Sequence, residues 1–184
     1  SRIPKQGHYA IDGDTVVSPQ SGEAALRAAG AVCAAVDAVI EGVARNAFCA
    51  IRPPGHHAEP HQSMGFCLFS NAAIGAAHAR AAHGLARVAV IDFDVHHGNG
   101  TQYLLWDEAR CLFAGSHQMP LFPGSGATTE RGAHGQILNL PLAAGTDGAH
   151  MRRQYERAIL PALADYRPDL LIVARGGGSM EDLW

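Results

Sequence analysis

The chain has 184 residues, 47% of them hydrophobic and 17% charged, which is enough for one well-buried core and short for two. A net charge of −3 and a pI near 6.4 supply no basic field for nucleic acid, and no apolar run approaches the roughly 18 residues of a membrane span. Ser1 to Gln6 also lacks the apolar stretch of a signal peptide, so the expectation is a soluble, cytoplasmic chain with neither nucleic acid nor membrane as partner. Cys33, Cys49, Cys67 and Cys111 are widely spaced, with no C-x-x-C pair, and read as small apolar residues rather than disulfides.

In chain order, Ser18-Pro19 offers a cap and a first-turn proline for an alanine-rich helix over about Ser21 to Val43. Phe48 to Ile51 reads as a short buried strand ended by Pro53-Pro54-Gly55, which places His56 and His57 on the loop that follows. Leu68 to His83 is helical by composition and stops at Gly84, and Arg87 to Phe93 is the strongest strand, apolar on both faces. A glycine turn at Gly98 to Gly100 leads to a helix over Thr101 to Asp107 and a strand over Cys111 to Ala114. After a glycine-rich loop, Phe122 to Gly126, come a strand over Ile137 to Leu140, a helix from Asp147 to Tyr166 kinked at Pro161, and a last strand over Asp169 to Ala174. Strands alternating with helices predict an open, mostly parallel α/β sheet.

The chemistry concentrates in two segments, Arg52-Pro-Pro-Gly-His-His57 and Asp92-Phe-Asp-Val-His-His-Gly-Asn-Gly-Thr-Gln102. Alternation along a strand puts Asp92, Asp94 and His96 on one face at its carboxyl end, where open α/β sheets place their sites. A carboxylate and an imidazole are good zinc ligands, which makes Asp94 and His96 the candidate pair. The plainer alternative is that Asp92 and Asp94 cap the loop beginning at Gly98. His56 and His57, on a rigid turn, suit proton transfer, with Asp92 and Asn99 as candidate acceptors on their far ring nitrogens.

These segments, with Gly65-Phe-Cys-Leu-Phe69 and Phe122-Pro-Gly-Ser-Gly126, resemble the ordered motifs of the histone deacetylase family over about Tyr9 to Val173, most closely its bacterial and class II members. The resemblance implies a single but incomplete domain with the three-layer arginase/deacetylase fold, helices covering both faces of the sheet. It implies zinc-dependent hydrolysis of N-acetyl amides, with acetyl-lysine peptides or proteins, or acetylpolyamines, as substrates. By position, Asp94 and His96 ligate zinc, and His56 and His57 transfer protons, supported by Asp92 and Asn99 respectively. Gly65, Phe66 and Phe122 line the acyl channel, Asp14 is the rim carboxylate, and a structural potassium uses Asp92, Asp94, His96 and Ser116. Without the resemblance, each phenylalanine reads more readily as a core residue than as channel lining.

Three departures carry their own expectations. Alignment on Leu170 to Val173 puts Gly178 where the family has the aspartate that is its third zinc ligand, and Glu181 or Asp182 is the candidate substitute. The family's tyrosine oxyanion donor falls beyond Trp184, and its opening segment falls before the match, so the sheet is expected to be short at one edge and to favour a homo-oligomer. The stretch Ala174 to Trp184 resembles part of the exonuclease VII large subunit, as a gene fusion would produce. The alternative function is a non-catalytic acyl-lysine binding remnant.

Overall fold

The structure is a computed structural model that describes residues 3–175. Its centre is a four-stranded parallel sheet in the order β5-β4-β3-β6, made of β3 (Val88–Asp92), β4 (Cys111–Gln118), β5 (Ile137–Leu142) and β6 (Leu170–Ala174). Every residue of β3 is buried, which is why that stretch carries no polar alternation. Its last residue, Asp92, lies opposite Gly115 of β4 and Ala174 of β6, so three strands deliver their carboxyl ends to one place.

Helices cover both faces, giving the three layers expected. On one face, α1 (Ser21–Ile40) packs on α2 (Asn71–His83) through small buried residues, Ala25, Ala28 and Ala29 on α1 and Ala73, Ala76 and Ala79 on α2. Val36, Ala76 and Ala79 then close over Val88, Val90, Phe113 and Ile137, joined by Leu105 of α3 (Asn99–Leu105). On the other face Ile159 seals Ile91 and Ala114, with Tyr155, Leu138 and Leu140 packed around them. The covering helix is α4 (Gly148–Gln154), a π turn (Tyr155–Ile159) and α5 (Leu160–Tyr166) in unbroken succession. Pro161 has no N–H to donate to the carbonyl one turn back, and the widened turn just before it, closed by Leu160 N–H on Tyr155 O, accommodates that loss.

Several boundaries move. α1 ends at Ile40 rather than Val43, and β4 runs on to Gln118. A small antiparallel pair, β1 (Tyr9–Ala10) and β2 (Val16–Val17), had no signal in composition. The strand expected over Phe48 to Ile51 does not form. Among the described residues that segment has no ladder partner, and Phe48 is 92% exposed. An apolar extended run becomes a strand only where a neighbouring edge pairs its backbone. Among the described residues β6 is an edge strand, and its Leu171 and Val173 are exposed. Cys33, Cys49, Cys67 and Cys111 are free thiols.

Candidate active site

The loop carrying His56 and His57 is fastened from two sides. The Asn71 side-chain amide, at the start of α2, donates to the Pro53 carbonyl at 3.2 Å. The backbone N–H groups of Gly100 and Thr101 in α3 both donate to the His56 carbonyl, at 2.9 and 3.1 Å. Both imidazoles are thereby buried, with ring centroids 3.9 Å apart and planes tilted by 42°.

The two rings face different acceptors. His56 Nδ1 lies 2.9 Å from Asp92 Oδ2, whereas His57 Nδ1 lies 2.8 Å from Asn99 Oδ1. Burial disfavours the cation on His56, but the Asp92 charge and hydrogen bond, with Asp94 beyond, outweigh it and raise its pKa. His57 has no such compensation: burial and the neighbouring His56 push it down to about 4. At neutral pH one ring is biased toward the cation and the other is neutral.

Gly98 and Gly65 make this packing possible. A Cβ on Gly98 would sit 2.3 Å from Asp92 Oδ2, and one on Gly65 would sit 2.4 Å from the His57 ring, where the backbone is also left-handed at φ +54°.

Asp94 and His96 lie beside the pair, but not by strand alternation. β3 ends at Asp92, and the chain then turns so that Asp92 Oδ1 accepts from Asp94 N–H at 3.1 Å and Asp94 Oδ1 accepts from His96 N–H at 2.8 Å. The expectation of a single strand face for Asp92, Asp94 and His96 is therefore corrected: successive side-chain-to-backbone bonds, the capping behaviour of short acidic residues, shape the turn. His96 Nδ1 comes to rest 3.2 Å from Asp94 Oδ1. That spacing suits two vertices of a tetrahedral zinc, whose ligand atoms are about 3.3 Å apart when bonds are near 2.0 Å. Burial opposes ionisation of Asp94, yet His96 and the His56 charge hold its pKa down to about 2, so the carboxylate is ready to bind a cation. Among the described residues no third His, Cys, Asp or Glu converges on both, and Gly178, Glu181 and Asp182 lie outside the described residues.

The chain as a whole has counterparts among known proteins. The family model for the histone deacetylase domain matches residues 2–182. The chain belongs to the histone deacetylase family. It is 42% identical over 174 residues to the histone deacetylase-like amidohydrolase of Pseudomonas aeruginosa, covering 92% of this chain and 46% of that protein. It is 44% identical over 177 residues to an uncharacterised protein of Synechocystis, covering 96% and 58%. Among solved structures, the acetylpolyamine aminohydrolase of Burkholderia pseudomallei superposes with a TM-score of 0.83 at 37% identity, covering 89% of this chain and 48% of that one. The chain thus spans about half the length of each of these three proteins.

Of the other sequence candidates in this deacetylase frame, Gly65 and Phe122 lie against the histidines. Phe122 meets His57 edge-on at 5.1 Å between centroids and His96 at 6.2 Å. Phe66 is 59% exposed at the surface of the site, and its backbone N–H donates to the Thr15 hydroxyl at 3.2 Å. Thr15 in turn donates to Asp14 Oδ1 at 3.1 Å, which brings the β1–β2 turn and Asp14 to the site's edge. Ser116, one residue past the Gly115–Asp92 register pair, has its hydroxyl 2.8 Å from Tyr155 OH. Burial raises the Tyr155 phenol, which the Ser116 bond opposes and the Asp92 charge reinforces.

Sequence reasoning missed Glu59 and Tyr155. Glu59 Oε1 accepts from Asn99 Nδ2 at 2.7 Å, which fixes the Asn99 amide with its oxygen toward His57. Its position two residues past the histidine pair was the one available signal. His97, second of its pair, turns away: Nδ1 pairs with Ser125 at 2.8 Å and Nε2 with Gln102 at 3.1 Å, in a network that reaches Glu130.

Proposed function

We propose that this site hydrolyses N-acetyl amides of the acetyl-lysine or acetylpolyamine class, with zinc held by Asp94 and His96. The observation that carries the reading is the pair of stacked histidines with unlike partners, Asp92 on His56 and Asn99 on His57, beside two zinc-type donors 3.2 Å apart. Zinc bound there would polarise the acetyl carbonyl and lower the pKa of the attacking water toward ~7.

His57 is the general base. Because Glu59 orients the Asn99 oxygen toward His57, His57 Nδ1–H is the donor and Nε2 keeps its lone pair. A ring held neutral down to about pH 4 can take a proton from water at Nε2 and return it to the leaving amine. His56, biased toward the cation by Asp92, supplies positive charge where the tetrahedral oxyanion develops. Phe66 and Phe122 flank the aliphatic stem of the substrate, Gly65 faces its amide, and Asp14 holds the substrate's outer end. A structural potassium would use Asp92, the carbonyls of Asp94 and His96, and Ser116, next to Tyr155. A homo-oligomer would cover the exposed edge of β6.

The test is hydrolysis of a fluorogenic acetyl-lysine peptide and of an acetylated polyamine by the zinc-loaded chain. Turnover suppressed by a hydroxamate and absent in His57→Ala is the expected result. Saturable binding of the acyl peptide without turnover would replace hydrolysis by an acyl-binding role.

A further inference from the structure

A second cluster of metal-type donors lies between α1 and α2. Asp37, on the last turn of α1, presents Oδ1 to His78 Nε2 at 2.6 Å and to His83 Nε2 at 2.7 Å, both from α2. The imidazoles approach edge to face, with centroids 5.7 Å apart and planes at 82°, so their Nε2 atoms converge on one point from different directions. Among the described residues this is the sole group in which three or more such donors come together. It is distinct from the candidate active site. Asn71, at the N-terminus of α2, touches the His56–His57 loop, whereas His83 closes the other end of the helix, about 18 Å away at 1.5 Å per residue.

We infer that Asp37, His78 and His83 form a second divalent-metal site, selective for borderline ions of the zinc type, that clamps α1 to α2. Two imidazole nitrogens and one carboxylate oxygen are the donor set such ions prefer over magnesium or calcium, which take oxygen. A plain helix-to-helix clasp needs one histidine on the carboxylate. Here two residues five apart on α2 reach the same oxygen from either side, an arrangement in which a single cation replaces two ring protons without moving any donor far. The side chains are 40%, 28% and 18% exposed for Asp37, His78 and His83, open enough for an ion to enter from solvent and for water to complete its coordination. The hydrogen bonds from both rings already hold the Asp37 pKa below its ordinary value, so the carboxylate is ionised and available.

The experiment is zinc titration of the Asp94→Ala chain, which disables the other site, followed by elemental analysis after dialysis. One zinc per chain is expected, falling to near zero when His78→Ala and His83→Ala are added. In the unmutated chain, zinc is expected to shift the Nε2 resonances of both histidines in long-range proton–nitrogen spectra, a readout that needs no helix substitution to fold. An Asp94→Ala chain that retains no zinc, uptake that survives loss of both histidines, or Nε2 resonances unmoved by zinc would each overturn the inference.

Discussion

Two buried histidine pairs sit at the carboxyl end of this sheet, and their partners make them opposites. His56 and His57 stack at 3.9 Å, and His97 and His117 at 4.7 Å. In the first pair one ring faces a carboxylate and the other an amide oxygen, and the pKa values split in opposite directions. In the second pair the direct partners are neutral: Ser125 and Gln102 for His97, and the Gly126 carbonyl for His117. Burial then drives both down, His117 to about 4 with help from His97. Burial alone lowers a histidine, and it is a carboxylate on the far nitrogen that raises one of two neighbours. Proton transfer needs the first arrangement and structure needs only the second.

Breaking the first pair has the largest expected effects. His57→Ala removes the base and should lower kcat/KM by about 10²–10⁴-fold, read on the acetyl-lysine peptide. Asp92→Asn makes the His56 environment like that of His57, and a loss of about 10–100-fold is expected. Equal activity in that variant would mean that His56 does not work as a cation.

Asn99→Asp tests the same contrast in the other direction, since it gives His57 the partner His56 has. The unmodified site should lose activity as pH falls through about 4, where His57 takes a proton, and again as pH rises through the raised His56 value. A carboxylate at residue 99 should raise the acid limb by about one to three pH units, measured as the pH profile of kcat/KM. An acid limb that does not move would remove His57 from the role of base.

Much of this was legible in the sequence because ordered motifs name positions directly. Asp92, Asn99 and the sequence-adjacent pairs His56-His57 and His96-His97 could be read as a set from their spacing. The turn after Asp92 was missed because local side-chain bonds shape it, whereas most other failures depended on a partner distant in the chain. Phe48 to Ile51 has the composition of a strand and no edge to join. His96 and His97 are indistinguishable as letters, yet one faces the site while the other is captured by Ser125 and Gln102. Glu59 and Tyr155 matter through contacts with Asn99 and Ser116, across 40 and 39 residues, and no periodicity reports such pairings.

The second pair yields the smallest expected effect, on stability rather than turnover. His117 Nε2–H donates to the Gly126 carbonyl at 3.1 Å, while its buried Nδ1 has no hydrogen-bond partner. The folded ring therefore takes a proton only near pH 4, whereas the unfolded ring takes one near its ordinary 6.5. As pH falls from 6.5 to 4 the unfolded chain binds that proton first, so stability is lost across this window and levels off below it. His117→Gln keeps a donor for the Gly126 carbonyl and removes the titrating group. Its unfolding free energy, from urea titration, should therefore fall less steeply between pH 6.5 and 4, by on the order of 3 kcal/mol over the window. His97 keeps its own depressed pKa in that variant, so part of the slope should persist. A slope identical to that of the unmodified chain would mean that the His97–His117 pair does not stay neutral as it loses stability.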